Sequence, residues 1–230
     1  MNISIIGTNF VGIVVGTCFA ECGNNVRLVD IGHEKYEELR DRRSPLHEPG
    51  LVDLIIKNFK EGRLVFTNDI HQAVKDSFVI FITIGILADG DGSVDTTPIF
   101  KVSRLIGKSL DDYKIIVTAS TLSLGTTELV RDIIIAFTDV AFDVASTPVF
   151  LKEGSAIEDF MNQNMLVIGA DKASVENIIK ELYSPLVRSS DGIISVPIRV
   201  AELTKHSDIE YLKKGVVNES NRESLSSLGG

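Results

Sequence analysis

Short apolar runs alternate along this chain with longer segments in which apolar positions recur every three or four residues. The short runs predict strands covered on both faces, because apolar residues occupy neighbouring positions and not only every second one. The longer segments predict amphipathic helices. The predicted strands are NISIIG, NVRLVD, FVIFITIG, KIIVTAS, FDVAST, MLVIGAD and GIISVP. The predicted helices are FVGIVVGTCFAECG, HEKYEELRDR, GLVDLIIKNFKEG, TTPIFKVSRLIGKSL, GTTELVRDIIIAF, ASVENIIKELYSPL, the start of IRVAELTKHSDIEYLKK and a short helix within VFLKEGSAIEDFMNQN.

The order of these elements indicates the fold class. Strands that alternate with helices predict a doubly wound α/β (Rossmann) fold, with a mostly parallel sheet and right-handed crossovers. The pattern changes after Pro148, so we expect a Rossmann domain over residues 1–146 and a small α/β extension over 147–200. The start of a further helix is expected over 201–214. Residues 215–230 are polar with few apolar anchors, which predicts a poorly ordered tail.

The charge balance narrows the classes of partner. The 230 residues carry a formal net charge of −9, with a sequence pI near 5.0. An acidic chain argues against a nucleic acid or an anionic membrane as partner. No apolar run has the length of a membrane span, and no signal peptide is visible, so we expect a cytoplasmic protein.

The thiol and imidazole side chains predict no metal site. Cys18 and Cys22 are four residues apart on one face of the first predicted helix, and we expect them to be small core residues. The four histidines are scattered along the chain, and no pair has the spacing of metal ligands (His33, His47, His71 and His206).

The opening stretch IIGTNFVG joins the first predicted strand to the first helix. In a dinucleotide-binding unit, one glycine makes the turn, a second lets the backbone approach the pyrophosphate, and a third lets the helix pack on the strand. Gly7 and Gly12 fill the first and third places, whereas Asn9 occupies the second. We expect Asn9 to preserve the turn by tolerating a positive φ, and to weaken the phosphate contact. Asp30, 18 residues after Gly12, matches the acid that holds an adenosine ribose and favours NAD over NADP.

Six segments of the chain match, in order, motifs of one enzyme family. They are SPLHEPGLVDLI, GRLVFTNDIHQAVKDSFVIFITIG with the following DGDGSVDTTPI, STLSLGTTELV, FDVASTPVFLKEGSAIEDF, VIGADKASVENIIKELYSPL and AELTKH. Together they resemble the UDP-glucose/GDP-mannose dehydrogenase family, most closely its UDP-glucose 6-dehydrogenase members. The likeness runs from Met1 to about Lys205.

The resemblance implies NAD-dependent oxidation of a nucleotide sugar, of the UDP-glucose to UDP-glucuronate type, in two hydride transfers. NAD is then the cofactor and a UDP-sugar the substrate. In that family a cysteine forms the covalent intermediate and a lysine stabilises charge on oxygen, while a glutamate and a threonine manage protons and water. The expected protein partner is either a second copy in a homodimer or a complementing dehydrogenase half.

The resemblance also assigns site residues by position. Thr121 and Lys205 match the catalytic threonine and lysine of the family. The expected cofactor-binding residues are Gly7, Asn9, Phe10, Val11, Gly12, Asp30, Lys35, Gly85 and Thr121. The expected substrate-binding residues are Phe150, Leu151, Lys152, Glu153 and Lys205. Without the motif, Lys205 is a solvated helix lysine and Glu48, Pro49 and Gly50 form an ordinary turn.

Departures from the family concentrate where the chemistry takes place. Val149 stands at the position of the catalytic glutamate, and valine neither moves protons nor activates water. The other departures are Ile86, Leu87, Ala119, Ser123, Ile209 and the triplet Gln163, Asn164 and Met165. We also expect the region bearing the nucleophilic cysteine to be absent, and neither Cys18 nor Cys22 to replace it.

Two functions stay open on these grounds. One is the N-terminal part of a nucleotide-sugar 6-dehydrogenase, incomplete in this chain. The other is a non-catalytic relative that keeps the fold for nucleotide binding or assembly. In both, we expect the isolated chain to be inactive, because Val149 replaces the glutamate and the nucleophile is missing. A plain protein-interaction domain ranks third.

Overall fold

The computed structural model describes residues 1–30, 48–84, 95–119 and 124–204. The strands in these ranges are β1 (Asn2–Ile6), β2 (Asn25–Val29), β3 (Leu64–Thr67), β4 (Val79–Ile82), β5 (Lys114–Thr118), β6 (Phe142–Ser146), β7 (Leu166–Ala170) and β8 (Ile193–Val196). The helices are α1 (Phe10–Glu21), α2 (Leu51–Lys60), α3 (Ile70–Asp76), α4 (Thr97–Ser109), α5 (Thr126–Ile135), α6 (Ala156–Met161), α7 (Ala173–Tyr183) and α8 (Ile198–Leu203). No helix in these ranges combines the length and apolar character needed to cross a membrane.

The eight strands form one sheet in the order β3-β2-β1-β4-β5-β6-β7-β8. Neighbouring strands are parallel except at one place, where β7 runs antiparallel to β6. The predicted doubly wound, mostly parallel α/β fold is therefore confirmed. Residues 147–200, expected to form a small α/β extension, contribute β7 and β8 to this same sheet.

Two short elements are absent from the hydrophobic pattern described above. β3 has four residues, of which Leu64 and Phe66 are buried and Val65 is exposed, so its alternation is too short to be distinctive. α3 has seven residues and is capped by Asp69, whose carboxylate accepts a hydrogen bond from the N–H of Gln72 at 3.0 Å. The predicted helix HEKYEELRDR, residues 205–214 and the tail 215–230 lie outside the described residues.

Alternate side chains of the strands feed two apolar layers, one on each face of the sheet. Ile3 and Ile5 of β1 belong to the layer that contains the buried residues of α1, whereas Ile6 belongs to the layer shared with α4 and α5. All three are fully buried. A strand covered on both faces needs apolar residues at consecutive positions, which explains why the strands are readable in the sequence as short continuous runs.

Phe19 of α1 joins the sheet to two later helices. Its ring centroid lies 5.2 Å from that of Phe81 in β4, 5.5 Å from Phe160 in α6 and 5.2 Å from Tyr183 in α7. The Phe160 and Tyr183 contacts are edge-on, the arrangement that aromatic rings prefer. α1 therefore holds α6 and α7, the helices that flank the antiparallel strand, against the sheet.

α1 packs directly on the turn that precedes it. A Cβ atom at Gly12 would lie 1.9 Å from the carbonyl oxygen of Gly7 and 2.6 Å from the Thr83 hydroxyl. One turn later, a Cβ atom at Gly16 would meet only side-chain atoms in the described structure, those of Leu28 at 3.0 Å and Ile5 at 3.3 Å. Gly12 is thus the point at which backbone presses on backbone, and Gly16 has a neighbour that can move.

This difference predicts that two similar substitutions affect the stability of the fold to very different extents. Gly12→Ala should lower the free energy of unfolding by about 3 kcal/mol or more, because α1 must move off the turn to admit the methyl group. Gly16→Ala should change it by less than about 1 kcal/mol, because the gain in helix propensity offsets a small shift of Leu28. Urea unfolding followed by circular dichroism measures both. Equal destabilisation by the two variants would contradict this account of the packing.

Candidate functional site

The strand order places a crevice between β1 and β4. From β1 the chain proceeds outward to β2 and β3, and from β4 it proceeds in the other direction, so two loops diverge at the carboxyl ends of these strands. Open α/β sheets bind ligands at such a point. A cavity of about 460 Å³ lies there, and among the described residues it is lined by Gly7, Thr8, Asn9, Asp30, Ile84, Asp95, Thr97, Pro98, Lys101 and Val102.

The turn between β1 and α1 forms one wall of this cavity. Gly7 has φ +122°, a left-handed conformation in which a side chain is strained, and a Cβ atom there would lie 2.8 Å from the Thr83 hydroxyl. That buried hydroxyl is 3.1 Å from the Gly7 carbonyl oxygen and 3.2 Å from that of Ile6, and donates to them. The end of β4 thus holds the turn through a side chain as well as through the sheet.

Asn9 is the residue that caps α1. Its φ is −75°, so the expectation of a positive φ is wrong; an extended backbone places it at the N-cap instead. The side-chain oxygen accepts a hydrogen bond from the N–H of Gly12 at 2.9 Å, and Nδ2 donates to the carbonyl oxygen of Thr83 at 2.5 Å. One partner is only a donor and the other only an acceptor, which fixes the orientation of the amide.

The first turn of α1 offers backbone donors to an anion. The N–H groups of Phe10 and Val11 occupy the first two helical positions, and the described part of the chain provides an acceptor for neither. Such groups, with the positive end of the helix dipole, bind phosphate. The turn also admits a close approach because Gly7 and Gly12 carry no side chain. These residues fit the pyrophosphate of a dinucleotide.

Asp30 follows β2 and lines the same cavity. It is 7% exposed, its backbone N–H bonds to the Thr67 carbonyl at 3.0 Å, and its carboxylate accepts from the Thr8 hydroxyl at 2.9 Å. A carboxylate held in this way suits the vicinal hydroxyls of a ribose and repels a phosphate in their place. Thr8 is a site residue that the glycine pattern did not single out, because it occupies a variable position of the motif.

The start of α4 completes the cavity. Hydrogen bonds from the side chain and N–H of Thr97 hold the pKa of Asp95 below its usual range, so this exposed carboxylate is charged. Lys101, one turn further along α4, brings a positive charge to the same wall. Of the expected cofactor residues, Lys35, Gly85 and Thr121 lie outside the described residues, as do Ile86 and Leu87.

A second group of expected site residues follows β6. Phe150 and Leu151 are half-buried, and Lys152 and Glu153 are exposed. A separate cavity of about 400 Å³ adjoins this loop, and its described lining includes Val149, Phe150, Lys152, Gln163, Asn164, Met165 and Arg188. The structure therefore brings the expected sugar-binding loop together with the Gln163–Asn164–Met165 departure. The expected catalytic Lys205 lies outside the described residues, together with Ser123 and Ile209.

Glu48 anchors this loop from 106 residues earlier in the chain. Its buried carboxylate accepts from the N–H of Gly154 at 2.7 Å and from the N–H of Ile157 at 3.3 Å, and so caps α6. A carboxylate at a helix start satisfies orphan N–H groups and complements the dipole. Interpreting Glu48 as part of an ordinary turn is therefore incomplete, since its partners are remote in sequence.

Glu202 of α8 does the same for α5. It accepts from the N–H of Gly125 and from the N–H of Thr127, both at 2.7 Å. Gly125 is the N-cap of α5 and has no side chain with which to cap it. Glu202 thus holds the chain immediately after residues 120–123, the segment that carries Thr121.

Val149 lies in an apolar environment. It is 9% exposed and belongs to the same buried cluster as Ala156, Phe160 and Leu166. The described structure places no titratable group at this position of the loop. Proton transfer from residue 149 is therefore impossible in this sequence.

The two cysteines are poor nucleophiles. Burial raises the pKa of Cys18 to about 12, and Cys22, Glu21 and Glu48 add to the shift. Burial and the neighbouring Glu21 also raise the pKa of Cys22. Cys18 is fully buried within α1. Neither thiol has the exposed, electropositive surroundings of a reactive cysteine.

Comparison with known proteins identifies close relatives of this chain. Residues 1–187 match the family model described as UDP-glucose/GDP-mannose dehydrogenase family, NAD binding domain. UDP-glucose 6-dehydrogenase TuaD of Bacillus subtilis is 41% identical over 213 residues, which are 92% of this chain and 46% of that protein. The UDP-glucose 6-dehydrogenase of Pseudomonas aeruginosa is 33% identical over 235 residues, 100% of this chain and 52% of that protein. The chain spans about half the length of the curated relatives it matches.

Solved structures give the same picture. A UDP-glucose dehydrogenase from the archaeon Pyrobaculum islandicum has a TM-score of 0.82 and 32% identity, covering 87% of this chain and 47% of its own. A ternary complex of GDP-mannose dehydrogenase from Pseudomonas aeruginosa has the same TM-score and identity, covering 94% of this chain and 51% of its own.

Because Glu48 caps α6, removal of its negative charge should loosen the start of that helix. Glu48→Gln should lower the free energy of unfolding by about 1–3 kcal/mol, because it weakens two buried hydrogen bonds and turns an amide N–H₂ toward an N–H donor. Hydrogen exchange at Gly154 and Ile157 should accelerate more than exchange in β1. Glu181→Gln, which removes an exposed carboxylate from α7, is the matched control and should change neither. Uniform acceleration across the chain would contradict the assignment.

The raised thiol pKa values predict that the folded protein resists thiol reagents. With a pKa of about 12, the thiolate fraction of Cys18 at pH 8 should be about a thousandfold below that of a free thiol. We therefore expect Ellman's reagent to release far less than one equivalent from the folded chain and two in denaturant. Because the folded-state pKa is raised, this protection should hold at low pH and weaken as pH rises toward 12. A Cys22→Ser variant isolates Cys18, and its rapid labelling in the folded state would contradict the prediction.

Proposed function

Because the chain belongs to the UDP-glucose/GDP-mannose dehydrogenase family, we propose that it supplies the NAD-binding half of a nucleotide-sugar dehydrogenase of the UDP-glucose type. The observation that carries this proposal is the β1–α1 turn. It combines two glycines that cannot carry a Cβ atom with two helix N–H groups that have no acceptor in the described chain. NAD is the cofactor of this domain, and when bound it accepts a hydride.

The residues of the first cavity divide the work of holding the cofactor. The N–H groups of Phe10 and Val11 are placed to bind the pyrophosphate, and Asp30, steadied by Thr8, is placed to accept from the adenosine ribose. An acid at position 30 disfavours a ribose phosphate, which supports NAD over NADP.

The loop after β6 is the proposed place of the sugar nucleotide. Phe150, Leu151, Lys152 and Glu153 belong to the segment that matches the family, and Glu48 holds its end. Lys152 adds a cation at the cavity, suited to a diphosphate. Thr121 and Lys205 are proposed to act on the reacting alcohol, by their match to the family motifs.

Completion of the oxidation needs groups that these residues do not offer. A thioester route requires a reactive thiol, and the sequence contains only the two cysteines whose pKa values burial raises. Water activation requires a general base where Val149 stands, and loss of a positioned base costs about 10²–10⁴ in rate. We therefore propose that the 230 residues bind their ligands without completing the two-step oxidation.

A second candidate is a nucleotide-binding relative without a reaction of its own. The burial of Val149 in the apolar cluster that also contains Ala156, Phe160 and Leu166 favours it, because an apolar side chain has taken the place of a proton-transfer group. In this case too the cofactor cavity is used, and a nucleotide sugar is bound for assembly or sensing.

Calorimetric titration tests the proposal directly. NADH should bind in the micromolar to millimolar range, and NADPH about tenfold or more weakly, because the 2′-phosphate meets Asp30. Asp30→Asn should narrow this preference. UDP-glucose should bind, and Lys152→Ala should weaken it by about tenfold while leaving NADH affinity unchanged. Lys60→Ala, on the surface of α2, is the control for loss of a lysine and should alter neither.

Each outcome has a distinct meaning. NADH binding without UDP-glucose binding would retain the cofactor domain and reject the sugar site. Formation of NADH from NAD and UDP-glucose by the chain would reject the account of Val149 and the cysteines. If neither NADH nor UDP-glucose binds, the proposed function as a whole is rejected.

A further inference from the structure

Asn9 uses only part of its hydrogen-bonding capacity inside the protein. A side-chain amide has two N–H donors and an acceptor oxygen. The oxygen accepts from Gly12, and one N–H donates to the carbonyl of Thr83. The second N–H of Nδ2 has no acceptor among the described residues. Asn9 also lines the first cavity and is only half-buried, so this group is accessible from it.

A glycine at position 9 would leave two buried groups without partners. The N–H of Gly12 is the third helix donor, and the Thr83 carbonyl immediately follows β4; the described structure gives neither any partner other than Asn9. Both residues are buried. Buried groups of this kind are normally satisfied by a bound water, which donates to the carbonyl and accepts from the N–H. The Asn9 amide makes the same two bonds as that water would.

A bridging water would retain one hydrogen to donate to a ligand, and the amide retains one as well. Asn9, which replaces the expected second glycine, therefore keeps a hydrogen-bond donor available to a ligand. It lies at the start of the helix whose next two N–H groups, those of Phe10 and Val11, have no acceptor among the residues that the structure describes. The start of α1 thus carries three N–H groups without an acceptor in the described structure, two from the backbone and one from the Asn9 amide, whereas the N–H of Gly12 is used by Asn9.

We propose that Asn9 is itself a ligand of the cofactor: its amide bridges Gly12 and Thr83 and presents its remaining Nδ2–H to the pyrophosphate. This inference rests on the proposed function, since it names a binding residue within the same cofactor cavity. It replaces the expectation that Asn9 weakens the phosphate contact, and the two accounts predict changes of opposite sign when the side chain is removed.

Substitution of Asn9 distinguishes the two accounts by calorimetry with NADH. Asn9→Ala removes the donor and, in a ligand role, should weaken NADH binding about tenfold. Asn9→Gly should weaken it less, about threefold, because a water can enter the vacated space and restore the bridge. Adenosine, which has no phosphate, is the matched ligand, and its affinity should not change. All titrations are made well below the thermal midpoint of each variant.

Asp69→Ala is the control for loss of a helix cap. Asp69 caps α3 as Asn9 caps α1, but it does not line the cofactor cavity. Its removal should lower the thermal midpoint without altering NADH affinity. A fall in affinity for Asp69→Ala equal to that for Asn9→Ala would attribute the effect to lost stability and overturn the proposal.

Tighter NADH binding by Asn9→Ala or Asn9→Gly would show that the Asn9 side chain obstructs the site. This result would also overturn the proposal. If the unaltered chain and every variant fail to bind NADH, the proposed function fails and this inference fails with it. A fall for Asn9→Ala, with adenosine and Asp69→Ala unchanged, establishes the ligand role.

Discussion

The close approach of α1 to the end of β1 is the constraint on which the rest of this molecule depends. Where the Gly12 backbone lies against the Gly7 carbonyl, there is no room for a single carbon atom. This contact sets the depth of α1 on the sheet, and thereby the position of Phe19 among the rings of Phe81, Phe160 and Tyr183. The same contact aims the first turn of α1 at the crevice between β1 and β4. The packing of Phe19 and the direction of the first turn of α1 thus both depend on how closely Gly12 approaches the Gly7 carbonyl.

Long-range carboxylates place the loops that the sheet alone leaves undetermined. Glu48 caps α6 and Glu202 caps α5, and each bond pair spans at least 75 residues. Parallel strands bring loops to one edge of a sheet, but they do not determine how each loop ends. A remote carboxylate at the next helix start supplies that missing restraint. The two site loops are therefore held by residues outside them.

The sheet and its crevice follow from the sequence to a large extent. Buried strands such as β1 and β4 are continuous apolar runs, and Gly7, Gly12 and Asp30 mark the crevice by type and spacing. β3 and α3 are too short for a period to be visible. The conformation of Asn9 was not predictable from its identity, because an asparagine serves a left-handed turn and a helix cap equally well. Local sequence also cannot reveal the roles of Glu48 and Glu202, whose partners are backbone N–H groups far along the chain.

The antiparallel pairing of β7 with β6 has a consequence for the position of α8, the last described helix. Because β7 opposes β6, its last residue, Ala170, pairs with Ala145 near the carboxyl end of β6. β8 runs parallel to β7 and ends with Val196 paired to Gly169, at the same level. α8 therefore starts near the edge occupied by the site loops, and the hydrogen bonds that Glu202 accepts from the N–H groups of Gly125 and Thr127 hold its end there too. The reversal of polarity at one strand, in this register, thus brings the ends of the last two described strands to the ligand-binding edge, where Glu202 can cap the helix after β5.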